Sequence, residues 1–171
     1  MNKYIYVTDN TGDLRDATRD TGPWANSLPL LVSSVGDMAA QILDRLGGER
    51  IQHLLIAGDG RPGYQSVGAL GRDDTMGMRS LQRNRDGAGL LGPAAHHLRR
   101  LIGHFAPGAR VTLGGTRVGQ DTILLQLISL ALAGVVVQAG IANYNTLAPG
   151  ISVRVRECTS QSSQERTANW L

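Results

Sequence analysis

Ile51-Gln52-His53-Leu54-Leu55-Ile56-Ala57 is a nearly continuous apolar run, and it empties at once into Gly58-Asp59-Gly60. A short run bounded by glycines reads as a strand covered on both faces, because a strand with one wet face would alternate. Just upstream, Met38, Ala39, Ile42, Leu43 and Leu46 recur at helical spacing from Val35 onward. Ser33, Ser34 or Asp37 can cap that helix, and Gly47-Gly48 closes it. Further back, Lys-Tyr-Ile-Tyr-Val-Thr at 3–8 is β-branched and aromatic and is broken by Asp9-Asn10-Thr11-Gly12-Asp13, which predicts a first strand. The stretch from Arg15 to Pro29 carries no apolar period and reads as a loop with Trp24 packed against the body. Strand, helix and strand together predict a β-α-β unit.

Working downstream, residues Gly58 to Gly77 hold glycines at 58, 60, 63, 68, 71 and 77, with Pro62, Asp73 and Asp74. That composition predicts a long irregular loop or a small hairpin, a usual place for function. A second helix is expected over Pro93 to Phe105, on the apolar positions Ala94, Leu98, Leu101, Ile102 and Phe105. A third strand follows at Ala109 to Leu113, then Gly114-Gly115-Thr116-Arg117-Val118-Gly119, then a helix over Asp121 to Ala133. Val135 to Ala139 predicts a fourth strand, and Ile151 to Arg156 alternates as an edge strand would. Alternating strands and helices require a mostly parallel sheet, so the expected fold is a three-layer α/β sandwich. The expected organisation is one domain over residues 1–158 and a polar C-terminal tail over 159–171.

The chain has 171 residues, 42% apolar and 18% charged, enough for one core but cramped for two. No apolar run is long enough to span a membrane, and the apolar stretch at the N-terminus is too short for a signal peptide. A cytoplasmic protein with no membrane partner is therefore expected. The lone Cys158 excludes an internal disulfide and a Cys-rich zinc site. A sequence pI near 9.5 invites a nucleic-acid reading. The net charge is only +3, however, with basic residues scattered among acids and aromatics at 4%, which argues against nucleic acid as a partner.

In an open parallel sheet the ligand crevice lies beyond the carboxyl ends of the strands, where the turns at Asp9, at Gly58-Asp59-Gly60 and at Gly114-Gly115-Thr116 should meet. Other candidates fare less well. Cys158 follows the last expected strand and reads as an incidental thiol. His53 has apolar neighbours and reads as a hydrogen-bonded core histidine. His96 and Arg100 share a solvated helix face, and His97 and His104 lie two turns apart without a third metal ligand.

Two segments carry a resemblance. Ile56-Ala57-Gly58-Asp59-Gly60-Arg61-Pro62-Gly63-Tyr64-Gln65 and the stretch from Phe105 through Gly114-Gly115-Thr116-Arg117-Val118-Gly119 resemble the caspase-like (clan CD, caspase–hemoglobinase fold) domains of many bacterial proteins. The resemblance covers roughly residues 3–145. In that pattern the second strand ends in His-Gly, often continuing Ser-Pro-Gly, and the third ends in a small-residue pair before the nucleophilic Cys. The resemblance puts Asp59 at the position of the catalytic His and Thr116 at that of the Cys. An Asp is ionised at neutral pH and cannot protonate a leaving amine, and a Thr hydroxyl lacks the nucleophilicity of a thiolate.

The resemblance therefore implies a non-catalytic caspase-like domain, a structural or protein-interaction module within a larger assembly, requiring no cofactor. The loop from Gly63 to Arg85, with Arg61, Arg72, Arg79, Arg83 and Arg85, and the polar tail would supply the contact surface. Two alternatives remain at the same crevice. Asp9 and Asp59, joined by Asp73 or Asp74, could hold Mg²⁺ for a hydrolase or nuclease, which requires the first and second strands to be neighbours. A ligand-binding pseudopeptidase would use Asp59, Gly60, Thr116 and Arg117, with Arg117 pairing an anion and Asp59 a basic side chain.

Overall fold

The computed structural model describes residues 2–9, 26–68, 76–78, 80–81, 92–142 and 152–169. Ten strands and three α-helices lie among them. In chain order they are β1 (Asn2–Asp9), β2 (Ser27–Val32), α1 (Val35–Arg45), β3 (Arg50–Ala57), β4 (Gly60–Arg61), β5 (Tyr64–Gln65), β6 (Met76–Gly77), α2 (Pro93–Arg99), β7 (Phe105–Leu113), α3 (Thr122–Ala131), β8 (Val136–Gly140), β9 (Ser152–Cys158) and β10 (Ser163–Asn169). Seven strands form one sheet in the order β10-β9-β8-β7-β3-β1-β2, and β4, β5 and β6 form a separate small antiparallel sheet. In the main sheet β2, β1, β3, β7 and β8 run parallel, while β9 and β10 are antiparallel to their neighbours. The chain is thus an α/β protein with a mostly parallel sheet, as its alternating pattern predicts.

Local chemistry sets the elements. In α1 the Ser34 hydroxyl accepts from the Asp37 amide at 3.0 Å, while the Asp37 carboxylate accepts from the Ser33 amide at 2.9 Å, so the helix start is capped reciprocally. Its buried positions Val35, Met38, Ala39 and Ile42 form the stripe that faces the sheet. Pro93 opens α2, where its missing N–H costs nothing. That helix ends at Arg99, six residues before the expected Phe105. The amides of Leu101, Ile102 and His104 bond three residues back in tightened turns, and Gly103 at φ +86° reverses the chain, so Phe105 already belongs to a strand.

The three helices lie side by side on one face, α1 against α2 and α2 against α3. Ile5, Val7, Leu30, Val32, Ile51, Leu54, Ile56, Val111, Leu113, Val137, Ala139 and Cys158 form the sheet's contribution to that core. Side chains of opposite parity, Tyr6, Leu55 and Ala57, make a second small cluster on the other face, and all three are buried. Burial on both faces is why β3 reads as unbroken apolar sequence.

Several expectations need correction. Residues 27–29 belong to β2 rather than to a loop. Pro29 is tolerated there because β2 pairs only with β1 and is the sheet's edge. Residues 15–25 of that expected loop, with Trp24, lie outside the described residues. The strand expected at the edge, β9, is interior. What reads as a polar tail over 159–171 is, over Ser163–Asn169, the true edge strand β10. A four-residue turn joins the two. In it the Thr159 hydroxyl accepts from the Ser162 amide at 3.1 Å, and the Thr159 amide donates to the Ser162 carbonyl at 3.1 Å. No described helix is long and apolar enough to cross a membrane.

Candidate functional site

Number the parallel strands in chain order and the sheet reads 2-1-3-4-5, so the connection direction reverses between β1 and β3. That reversal opens a crevice beyond the carboxyl ends of the two strands. The first strand and the strand expected second are indeed neighbours, with Thr8 opposite Ala57. Asp59 follows β3 directly and is exposed, while the side chain of Asp9, along with Asp73 and Asp74, lies outside the described residues.

The turns after β3 and β7 interlock. The Gly114 amide donates to the Ile56 carbonyl at 2.8 Å, carrying the β3–β7 pairing past the strand end. One residue on, the backbones of Gly60 and Gly115 touch. A Cβ added to Gly60 would sit 2.5 Å from the Gly115 Cα, and one added to Gly115 would sit 2.6 Å from the Gly60 Cα. Real side chains do not approach so closely, so glycine is required on both sides. Asp59 and Thr116 therefore flank a shared contact, as the sequence expectation has them. No hydrogen bond or ion pair joins their side chains among the described residues.

The small sheet locks this contact in place. Arg61-Pro62-Gly63-Tyr64 joins β4 to β5, with Gly63 at φ +80°, which matches a type II turn with Pro second and Gly third. The turn delivers the fully buried Gln65, whose Oε1 accepts from the Gly115 amide at 2.9 Å and whose Nε2 donates to the Ser66 carbonyl at 3.1 Å. The Ser66 amide donates in turn to the Asp59 carbonyl at 2.8 Å. Gln65 thus staples the β7 turn to the hairpin after β3. Sequence reasoning missed its role, since a glutamine in a glycine-rich stretch carries no spacing signal; only the Pro-Gly pair pointed to a hairpin.

Two exposed guanidinium groups rise from the same turns. Arg61 stacks on the Tyr64 ring at 5.2 Å from its centroid. Arg117 sits at φ 56°, ψ 16°, in the left-handed region that costs a non-glycine residue about 1 kcal/mol. Past it, Val118 is buried and Gly119 is pressed against the end of β8, where an added Cβ would meet the Ala139 carbonyl oxygen at 2.3 Å. The left-handed residue turns the chain so that this short 3₁₀ segment, Val118–Gln120, can seat there. Asp121 then caps α3, its Oδ1 accepting from the Leu124 amide at 2.9 Å.

The remaining titratable side chains lie elsewhere. Cys158 ends an antiparallel strand opposite Val137, near the start of β8, so it lies at the amino end of the parallel strands, away from the crevice. It is buried, and burial raises its thiol pKa. The His97 ring covers Gly36 in the first turn of α1, with its Cε1 3.0 Å from where a Cβ would be. His96 is exposed beside it. No three His, Cys, Asp or Glu side chains among the described residues come together as a metal site.

His53 is a core residue, as its neighbours predict, and it opens a polar chain across the face away from the helices. Its Nε2 lies 2.6 Å from the Thr112 hydroxyl, which accepts from Gln138 Nε2 at 2.8 Å. Arg166 donates to Gln138 Oε1 at 3.4 Å and to Glu157 at 2.6 and 3.0 Å, and Gln164 donates to Glu157 at 2.9 Å. A guanidinium only donates, so Arg166 fixes which end of the Gln138 amide faces Thr112. Burial, aided by the Arg110 charge, lowers the His53 pKa from 6.5 to about 3, so the ring is neutral at physiological pH.

No protein-family model, curated protein or solved structure matches this chain.

Proposed function

We propose that the chain is a non-catalytic domain of the caspase-like kind, a three-layer α/β/α module that works by binding protein within a larger assembly. The observation that carries this reading is the interlock of Gly60 and Gly115, which sets Asp59 and Thr116 on two turns in contact. By the resemblance, those are the positions of a catalytic imidazole and thiol. A pair of turns held this tightly by Gln65, yet bearing a carboxylate and a secondary alcohol, keeps the framework of a site without its acid or its nucleophile. Burial of Tyr6, Leu55 and Ala57 on the face away from the helices supports the three-layer form. The same reading has the protein acting in the cytoplasm, with protein rather than nucleic acid or membrane as partner, on the sequence grounds given above.

The test uses the full chain. Light scattering of the native particle should give a mass several times the 18.2 kDa of one chain, or a stable complex with a co-purifying protein, and a peptide panel should go uncleaved. Introducing Asp59→His with Thr116→Cys should create a thiol that a peptide electrophile labels faster than it labels wild type. A strict monomer without a partner, together with a double variant that labels no faster than wild type, would sink the proposal.

A metal-dependent hydrolase using Asp9 and Asp59 keeps one observation in its favour, the adjacency of β1 and β3. Saturable Mg²⁺ or Mn²⁺ binding that disappears in Asp59→Asn would move the reading to that chemistry.

A further inference from the structure

The end of the sheet opposite the crevice holds a recess of about 670 Å³. It lies where α2 hands over to β7 and α3 to β8. Of its twelve lining residues eight are apolar, three are glycine and one is charged, Arg50. The recess is open to solvent, with Arg50, Pro107, Gly108, Ala133 and Gly134 exposed at its rim, and an apolar wall beside one polar group suits a ligand with an apolar part and a polar end.

The recess is built from the backbone outward. β7 carries extra residues at its start, since Ile51 and His53 of β3 pair with Phe105 and Arg110, two steps against five. The surplus, including Pro107 and Gly108, bows out of the sheet and forms one wall. The opposite wall is the end of α3, where the chain turns through Ala133 at φ 56° and Gly134 at φ +93° before entering β8. Added Cβ atoms at Gly103, Gly108 and Gly134 would meet nothing within 4 Å, so these exposed turns face open space. Phe105, Leu132, Val135 and Val136 line the interior.

Arg50 decides the chemistry. Its Nη1 donates to the Gly103 carbonyl at 3.0 Å and to the Phe105 carbonyl at 3.3 Å, which holds the guanidinium at the rim. No carboxylate among the described residues pairs with it. Its sequence neighbour Glu49 is engaged by Lys3 at 3.1 Å. Arg99 and Arg100, exposed at the end of α2 just before the Gly103 turn, also form no ion pair among the described residues. A guanidinium held by two carbonyls through one nitrogen still offers donors on Nη2 and Nε, in a geometry that matches a carboxylate.

We propose that this recess binds a small amphiphilic carboxylate, with the hydrocarbon part between the β7 bulge and the α3–β8 turn and the carboxylate on Arg50. The site is separate from the Asp59–Thr116 crevice and does not depend on its function.

The experiment titrates the full chain with octanoate and, in parallel, with 1-octanol as an uncharged probe of equal length. Octanoate should bind one-to-one with a Kd at or below about 1 mM, and octanol at least about tenfold more weakly, the ratio expected for one charge-assisted contact. Arg50→Gln should erase the difference between the probes, whereas Arg50→Lys should keep most of it. Methyl NMR of the wild-type chain should show shifts at Leu132, Val135 and Val136, which keeps the test decisive even where Arg50→Gln folds poorly. Unsaturable binding, equal affinity for the two probes, or shifts confined to other methyl groups would each overturn the proposal.

Discussion

A methyl group has no space between Gly60 and Gly115. Gly60→Ala should cost about 3 kcal/mol, because its Cβ meets backbone rather than a movable side-chain tip, and urea unfolding will read it as a lower midpoint. Gln65→Ala should cost about 2 kcal/mol by leaving the buried Gly115 amide without an acceptor. One side chain runs the other way. Ser129 is fully buried inside α3 and its hydroxyl has no hydrogen-bond partner among the described residues, so Ser129→Ala should stabilise by up to about 1 kcal/mol through both desolvation and helix propensity. At this scale the sequence exposed the residues that follow strands, Asp59 and Thr116, because glycines on both sides of Asp59 and before Thr116 mark turns. It hid Gln65 and Arg50, whose roles depend on partners 50 or more residues away.

Among the elements, α3 ends in a Schellman turn. The Gly134 amide donates to the Ser129 carbonyl at 2.8 Å and the Ala133 amide to the Leu130 carbonyl at 3.2 Å, with Ala133 rather than glycine in the left-handed position. Ala133→Gly should therefore raise stability by about 0.5–1 kcal/mol in thermal unfolding. Ion pairs cross the β9–β10 hairpin on its polar positions, where Glu165 meets Arg154 and Arg156, and Glu157 meets Arg166. Burial alone would raise the Glu157 pKa, but hydrogen bonds from Arg166 and Gln164 and the charges of Arg166 and Arg110 outweigh it and leave the pKa lowered. A lowered carboxylate pKa stabilises the fold above the unfolded value, near 4.5, and that contribution fades as pH falls through the folded value. Amide exchange should accordingly show β10 losing protection below about pH 4.5. Dependence on charge is also why β10 escaped sequence reading. Ser-Gln-Glu-Arg-Thr-Ala-Asn has no apolar alternation, and its strand character comes from cross-strand partners on β9. β2 was hidden by its Pro29, whereas β1, β3 and α1 announce themselves by pattern.

For the molecule as a whole, acid sensitivity should centre on His53. Its folded pKa of about 3 lies below the unfolded 6.5, so unfolding takes up a proton, and the stability present above pH 6.5 is lost as pH falls toward 3. Between pH 6.5 and 5 the loss should reach about 2 kcal/mol, and His53→Gln should flatten that slope in urea unfolding at the two pH values. The parallel architecture was legible because apolar runs alternate with helical periods; the 2-1-3 reversal was not, because β2 went unseen. That strand order has a consequence for synthesis. From β3 onward each main-sheet strand joins the edge left by its predecessor, β7 on β3, then β8, β9 and β10 in turn. None has to wedge between two strands already paired, so the sheet can be laid down in the direction of translation, each new strand covering the edge its predecessor left open.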